Sequence, residues 1–148
     1  MIPIFYAGIG SRETPPEILS LMTSIAKEHR FEGITLRSGG AKGADKAFES
    51  GAGHLKEIFY AQNATAKAIE LASKYHPAWD RCSEYAKMLH GRNMMILLGQ
   101  NLDTPVSKII CWTKDGKASG GTGQAMRAAQ DYGVPIINLY NLTEGLNI

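Results

Sequence analysis

The sequence predicts an α/β fold built on a mostly parallel β-sheet. Two observations predict it. Short apolar runs of strand type alternate with longer stretches of helical periodicity. Gly-rich turns also follow three of the expected strands, at Gly8-Ile9-Gly10-Ser11-Arg12, at Ser38-Gly39-Gly40-Ala41-Lys42-Gly43-Ala44-Asp45, and at Ser119-Gly120-Gly121-Thr122-Gly123. In an open α/β sheet the strand carboxyl ends share one edge, so these turns converge there.

Ile4–Ala7 is apolar throughout, as a buried parallel strand requires. Thr14-Pro15-Pro16-Glu17 opens the first helix, with Thr14 as N-cap, Pro15 at the first helical position and Glu17 completing a capping box. Ile18, Met22 and Ile25 form its apolar stripe, widened by Leu19, Leu21 and Ala26. Gly33 separates it from the second strand, Ile34–Arg37. A short helix over about Ala44–Ser50 turns Ala44, Ala47 and Phe48 inward. Glu57–Ala61 is the third strand, and Thr65–Tyr75 is a helix broken by Pro77. Asp80–Leu89 and Asn93–Leu98 read as two helical runs with Arg92 and Asn93 at their junction. Lys108–Thr113 is strand four, Gln124–Tyr132 a helix, Val134–Tyr140 strand five, and Asn141–Ile148 a weakly patterned tail. Right-handed crossovers then give the order 3-2-1-4-5, a Rossmann-like three-layer sandwich. Its switch point, where ligands bind, falls between strands one and four.

A chain of 148 residues with 44% hydrophobic content suits one domain, 1–148, with an ordinary core. A net charge of +2 neither demands nor excludes nucleic acid. Cys82 and Cys111 lack C-x-x-C spacing and read as reduced thiols of a cytoplasmic protein. The N-terminus is strand-like rather than a signal peptide, and no apolar run reaches the ~18 residues of a membrane span.

Familiar nucleotide motifs fail. Glu13 occupies the third Gly position of a dinucleotide fingerprint, and Arg37 stands where an acidic ribose ligand belongs. The second Gly turn lacks P-loop spacing. His29, His54, His76 and His90 are dispersed, with no spacing that suggests a metal, and no separate cofactor is expected.

What remains is anion chemistry. Gly lets backbone N–H groups approach a ligand, and helix amino ends favour negative charge. Gly8, Gly10, Ser11 and Arg12 form one candidate wall, with Arg12 gripping a phosphate or pairing with Glu13. Ser38, Gly39, Gly40 and Lys42 form a second. Asp45 opens a helix, as a cap, a ribose ligand or a general base. Arg92 and Asn93 are a third element, Trp112 stacks on a base or fills the core, and Gly120, Gly121, Thr122 and Gly123 form an anion cradle.

Taken in order, these motifs resemble the SLOG superfamily, which includes the DprA, YpsA and lonely-guy (LOG) proteins. Ala7–Arg12 is similar to the first-strand Gly-Ser-Arg signature. Ser38–Asp45 is similar to the Ser-Gly-Gly-Ala-Arg-Gly-Ala-Asp loop of small YpsA-like members. His90-Gly91-Arg92-Asn93 resembles the Arg-Asn element of DprA, and Gly120–Gly123 the phosphate loop. The likeness spans residues 5–127. It departs from LOG enzymes where their Pro-Gly-Gly-x-Gly-Thr-x-x-Glu motif meets Ser119, Gln124 and Arg127, so the catalytic Glu is missing. The resemblance implies a homo-oligomer, and the function expected has one main reading, carried by the Gly turns and the strand-edge Arg and Lys residues, and two alternatives. The main reading is a protein that senses or sequesters a small nucleotide or nucleotide derivative. The second is a nucleoside-monophosphate N-glycosidase, with Asp45, Glu13 or Asp115 supplying the carboxylate. The third is a DprA-like single-stranded DNA binder, with Arg12, Arg37, Lys42, Lys46, Arg92, Lys114 and Lys117 lining a basic groove.

Overall fold

The computed structural model describes residues 3–143. Five strands, β1 (Phe5–Gly8), β2 (Thr35–Ser38), β3 (Lys56–Ile58), β4 (Ile109–Cys111) and β5 (Ile136–Asn138), form one sheet in the order β3-β2-β1-β4-β5. All four pairings are parallel. The expected order and Rossmann-like architecture are therefore observed.

Alternation along the strands sorts two cores. Tyr6, Ile110 and Trp112 face one side of the sheet, with Ile18, Met22 and Ala26 of α1 (Pro16–Phe31) and Ala44, Phe48 and Ala52 of α2 (Ala44–Ala52). Ala7, Ile109 and Cys111 face the other, with Ala68 and Ala72 of α3 (Ala66–Ala72), Met94–Leu98 of α4 (Glu84–Leu98) and Ala125, Met126, Ala128 and Ala129 of α5 (Gly120–Asp131). A last helix, α6 (Leu139–Thr143), takes up the start of the expected tail, whose residues 144–148 lie outside the described residues.

Several boundaries differ from expectation. Thr14 is not the N-cap of α1: Pro15 holds that position, and Thr14 instead donates its hydroxyl to Ser11 O at 2.5 Å. Its amide bonds the same carbonyl, so Thr14 closes the turn after β1. Pro16 enters at the first turn, where a missing N–H costs nothing. β3 is shorter than expected, and Ala61–Asn63 forms a 310 turn. Thr65 caps α3 by accepting from the Ala68 amide at 3.1 Å, and a 310 turn, Ser73–Tyr75, follows.

The two helical runs expected around residue 91 are one helix. α4 is continuous from Glu84 to Leu98, capped by Ser83 accepting from the Ala86 amide at 3.1 Å. Gly91 does not break it. A Cβ there would lie 2.6 Å from Ile69 Cγ1 and 3.1 Å from Ile69 Cα, so Gly91 lets α4 press against the backbone of α3. Arg92 and Asn93 thus project from mid-helix. The apolar run Met94–Leu98 is buried on all faces, which hides its helical period. α5 likewise starts earlier than expected, so Gly120–Gly123 are its first turn rather than a loop before it.

Candidate functional site

At the carboxyl ends of β1 and β4 lies a crevice of about 940 Å³. That is the switch point of the sheet. Ile9–Glu13 form one wall, Thr113, Lys114 and Ser119–Thr122 another, Asp45 and Ala41 the floor near α2, and the outer turns of α4 the fourth side.

The wall after β1 is fixed by backbone bonds to β4. The Ser11 amide donates to Trp112 O at 3.2 Å, and the Ser11 hydroxyl accepts from the Glu13 amide at 3.0 Å. This tight turn leaves the Arg12 side chain exposed at the crevice. The opposite wall is braced behind Thr113. Its hydroxyl accepts from Asn138 Nδ2 and donates to Lys117 O, each at 2.8 Å. Asp115 Oδ1 accepts from the Lys117 amide at 2.9 Å and from the Ser119 hydroxyl at 3.1 Å, which holds that carboxyl below the usual carboxylate range. Asp115 therefore shapes the loop ahead of α5 and does not line the crevice.

The loop delivers the amino end of α5 into the crevice. The Gly123 amide already bonds Ser119 O at 2.9 Å, whereas the preceding amides are the ones a helix leaves unpaired. Gly120 has a φ of +64°, and a Cβ on Gly121 would meet nothing within 4 Å. This end of the helix is open to an anion.

Asp45 and Arg92 close the floor. Asp45 stands in the first turn of α2, and its Oδ2 accepts from the Ala41 amide at 3.2 Å. Burial raises its carboxyl pKa to about 6, against the pull of Arg92 and of the Ala41 and Gly39 amides. Arg92 donates Nη1 to Gly39 O at 2.8 Å. Burial lowers its guanidinium pKa, opposed by Asp45. Its buried Nε has no partner among the described residues, an unspent donor beside the crevice. Asn93 ties α4 to α5 through Nδ2, which donates to Gln124 Oε1 at 3.2 Å.

Of the residues singled out from the sequence, Gly10, Ser11, Arg12, Asp45, Arg92, Asn93, Gly120, Gly121 and Thr122 line the crevice. The others stand elsewhere. Gly8 is needed for packing, since a Cβ there would lie 2.5 Å from the Phe48 ring; Gly10, besides lining the crevice, packs in the same way, a Cβ there falling 2.7 Å from Ala44 Cβ. Ser38 is fully buried and donates its hydroxyl to Gly8 O at 2.6 Å, joining β2 to β1. Gly39 and Gly40 pack behind the floor, Gly40 with a φ of +72° against Tyr60. Lys42 is exposed outside the crevice. Trp112 belongs to the core, its ring 6.3 Å from that of Tyr140. Gly123 packs on the Ala118 backbone.

Arg37 is excluded from any basic groove. It is buried, bonded to Glu57 at 2.8 Å and to Thr104 O at 2.6 Å, and lies 3.9 Å over the Phe5 ring. Lys46 and Lys117 do not line the crevice either. Lys114, expected in a basic groove, does line the crevice, and the crevice adds residues that sequence reasoning missed: Tyr85, 63% exposed at the start of α4, with Leu89 and His90. One helix carrying Arg92 toward the crevice also carries Tyr85 and Leu89, a signal hidden by splitting that helix. The dispersed histidines also conceal a convergence, since His76, Cys82 and His90 meet in space.

The same architecture occurs in DNA processing protein A (DprA) from Helicobacter pylori, a protein with a described single-stranded DNA binding mode. The two superpose with a TM-score of 0.64 at 19% sequence identity, over 92% of this chain and 65% of that one. The fold is DprA-like. This chain spans about 65% of the length of its DprA neighbour. No family model matches the sequence, and no curated protein matches it. Among the described residues no helix is long and apolar enough to cross a membrane.

Proposed function

We propose that the crevice binds nucleotide phosphate, and that single-stranded DNA presents it, in a DprA-like member of the SLOG superfamily. The observation that carries the reading is the convergence of Arg12, Lys114, Arg92 and the open amino end of α5 on one crevice at the sheet switch point. These groups attract anions whether or not a base is attached. Tyr85 stands exposed at the same crevice, where a base can stack on its ring. The fold likeness to a protein with a single-stranded DNA binding mode favours the polymer over the free nucleotide. Fluorescence anisotropy with oligodeoxythymidylates of increasing length tests this. Affinity is expected to rise with length and to fall linearly in log–log form with salt. Tight mononucleotide binding with no gain from length would overturn it.

A second reading keeps the ligand small and adds hydrolysis of an N-glycosidic bond. The buried Asp45 carboxyl favours it, because a pKa of about 6 leaves both protonation states populated near neutral pH, as a general acid–base requires. Arg127 stands where LOG enzymes carry their Glu and instead donates to Tyr75 O at 2.9 Å. Incubation with nucleoside monophosphates decides this reading: free base must appear, and Asp45→Asn must slow its release at least ~100-fold. The homo-oligomer implied by the family resemblance is part of the proposal, read by light scattering.

A further inference from the structure

Three metal-ligating side chains from separate stretches of chain meet beside the crevice. His76 follows the 310 turn after α3, Cys82 follows a 310 turn at Trp79–Arg81, and His90 projects from the second turn of α4. One ligand atom from each lies within 4.8 Å of the other two. Cys82 Sγ is 3.6 Å from His76 Nε2, and the His76 and His90 ring centroids are 4.7 Å apart. With Zn–S near 2.3 Å and Zn–N near 2.0–2.1 Å, the S···N edge of a tetrahedral zinc site is about 3.5 Å. The Cys82–His76 edge already has that length. We propose that His76, Cys82 and His90 bind a zinc ion.

The donor set suits zinc and excludes the hard cations. Thiolate and imidazole suit zinc, whereas magnesium and calcium take oxygen ligands. His90 Nδ1 is buried and has no partner among the described residues, so a ligand atom there is unspent. His76 Nδ1 accepts the Ala78 amide at 3.0 Å, which leaves the ring proton on Nε2, facing Cys82. Ligation through Nε2 moves that proton to Nδ1, gives up the Ala78 bond and releases the Cys82 thiol proton to solvent. One neutral hydrogen bond is a small loss against a zinc–thiolate bond. The ion would pin residues 76–82 to α4. Trp79 also packs here, 6.2 Å from His76 and 6.1 Å from His90, so the competing account is a metal-free aromatic cluster.

Cobalt(II) separates the two accounts. The reduced, metal-free chain titrated with Co²⁺ is expected to give the near-ultraviolet thiolate-to-cobalt band and strong tetrahedral visible bands. Both should saturate at one equivalent and vanish on adding zinc. Cys82→Ser should remove the thiolate band, and His76→Asn should weaken the saturable binding. Thermal unfolding supplies a second measurement, for which each variant's own metal-free form is the reference. Zinc should raise the melting temperature of the unaltered chain and leave that of Cys82→Ser unchanged. Absence of the thiolate band in the unaltered chain, or an equal zinc-induced shift in both proteins, would overturn the proposal.

Discussion

Asp45 and Arg92 face each other across the backbone of Gly39 without forming a direct ion pair. Arg92 donates to Gly39 O at 2.8 Å, while Asp45 Oδ2 accepts from the Ala41 amide at 3.2 Å. A Cβ on Gly39 would overlap the Arg92 guanidinium and lie 2.8 Å from Asp45 Oδ2. The missing side chain at Gly39 therefore lets one loop hold a buried cation and a buried carboxyl at the crevice floor.

Gly39→Ala tests that arrangement. The methyl group forces the guanidinium off Gly39 O inside a packed site. Overpacking of this kind costs about 1–3 kcal/mol. Urea denaturation should show the midpoint falling with the m-value unchanged. An unaltered midpoint would mean the floor accommodates the methyl group freely.

The raised Asp45 pKa sets a stability profile whose sign can be worked out. The unfolded carboxyl titrates near 3.8 and the folded one near 6, so between these values the folded state holds the extra proton. Stability from this group is greatest below pH 4, falls as pH rises to about 6, and is flat above. The whole change is on the order of 3 kcal/mol. Asp45→Asn cannot ionise and should lose this slope, which appears as the difference between the two proteins' denaturation midpoints from pH 4 to pH 8. A parallel pair of profiles would show that Asp45 titrates normally in the folded chain.

The strand order was legible because apolar strand runs and Gly turns mark a parallel sheet directly. The crevice was legible for the same reason: its walls follow β1 and β4. Local chemistry misled where tertiary packing outweighed it. Gly91 resembles a helix break, but close approach to Ile69 is why it is there. Thr14 and Glu17 resemble a capping box, yet the turn held by Ser11 recruits Thr14 first. Ser38 and Trp112 have the right chemistry for a ligand and are spent on the sheet and the core. The meeting of His76 and Cys82 with His90 depends on the path between α3 and α4, which no spacing rule encodes.

The first turn of α5 separates binding from folding. Gly121 is exposed and a Cβ there meets nothing within 4 Å. Gly121→Asp should leave stability unchanged or raise it by about 0.3–1 kcal/mol, since a carboxylate favours a helix amino end. The same charge should abolish phosphate binding. Gly123→Ala should do the reverse, because its Cβ would overlap the Ala118 backbone: stability falls, while surviving folded protein still binds. Calorimetry alongside thermal unfolding reads both. Unchanged affinity in folded Gly121→Asp would remove α5 from the site.

Single substitutions in the crevice and on a distant helix distinguish a concentrated site from a diffuse basic surface. Arg12→Ala and Lys114→Ala alter exposed side chains at the crevice, so the fold should be unaffected. Each should weaken oligonucleotide binding by about 1.5–3 kcal/mol if it makes a charged hydrogen bond to phosphate. Each should also lower the salt slope by about one counterion. Tyr85→Ala should cost about 1–3 kcal/mol per stacked base and leave the salt slope alone, because stacking releases no counterion. Lys67 on α3 and Lys74 in the 310 turn behind it lie outside the crevice, and their Ala variants should be nearly silent. Anisotropy at several salt concentrations gives affinity and slope together. Equal losses at Lys67, Lys74, Arg12 and Lys114 would mean that the polyanion spreads over the α3 face and that the crevice is not its principal site.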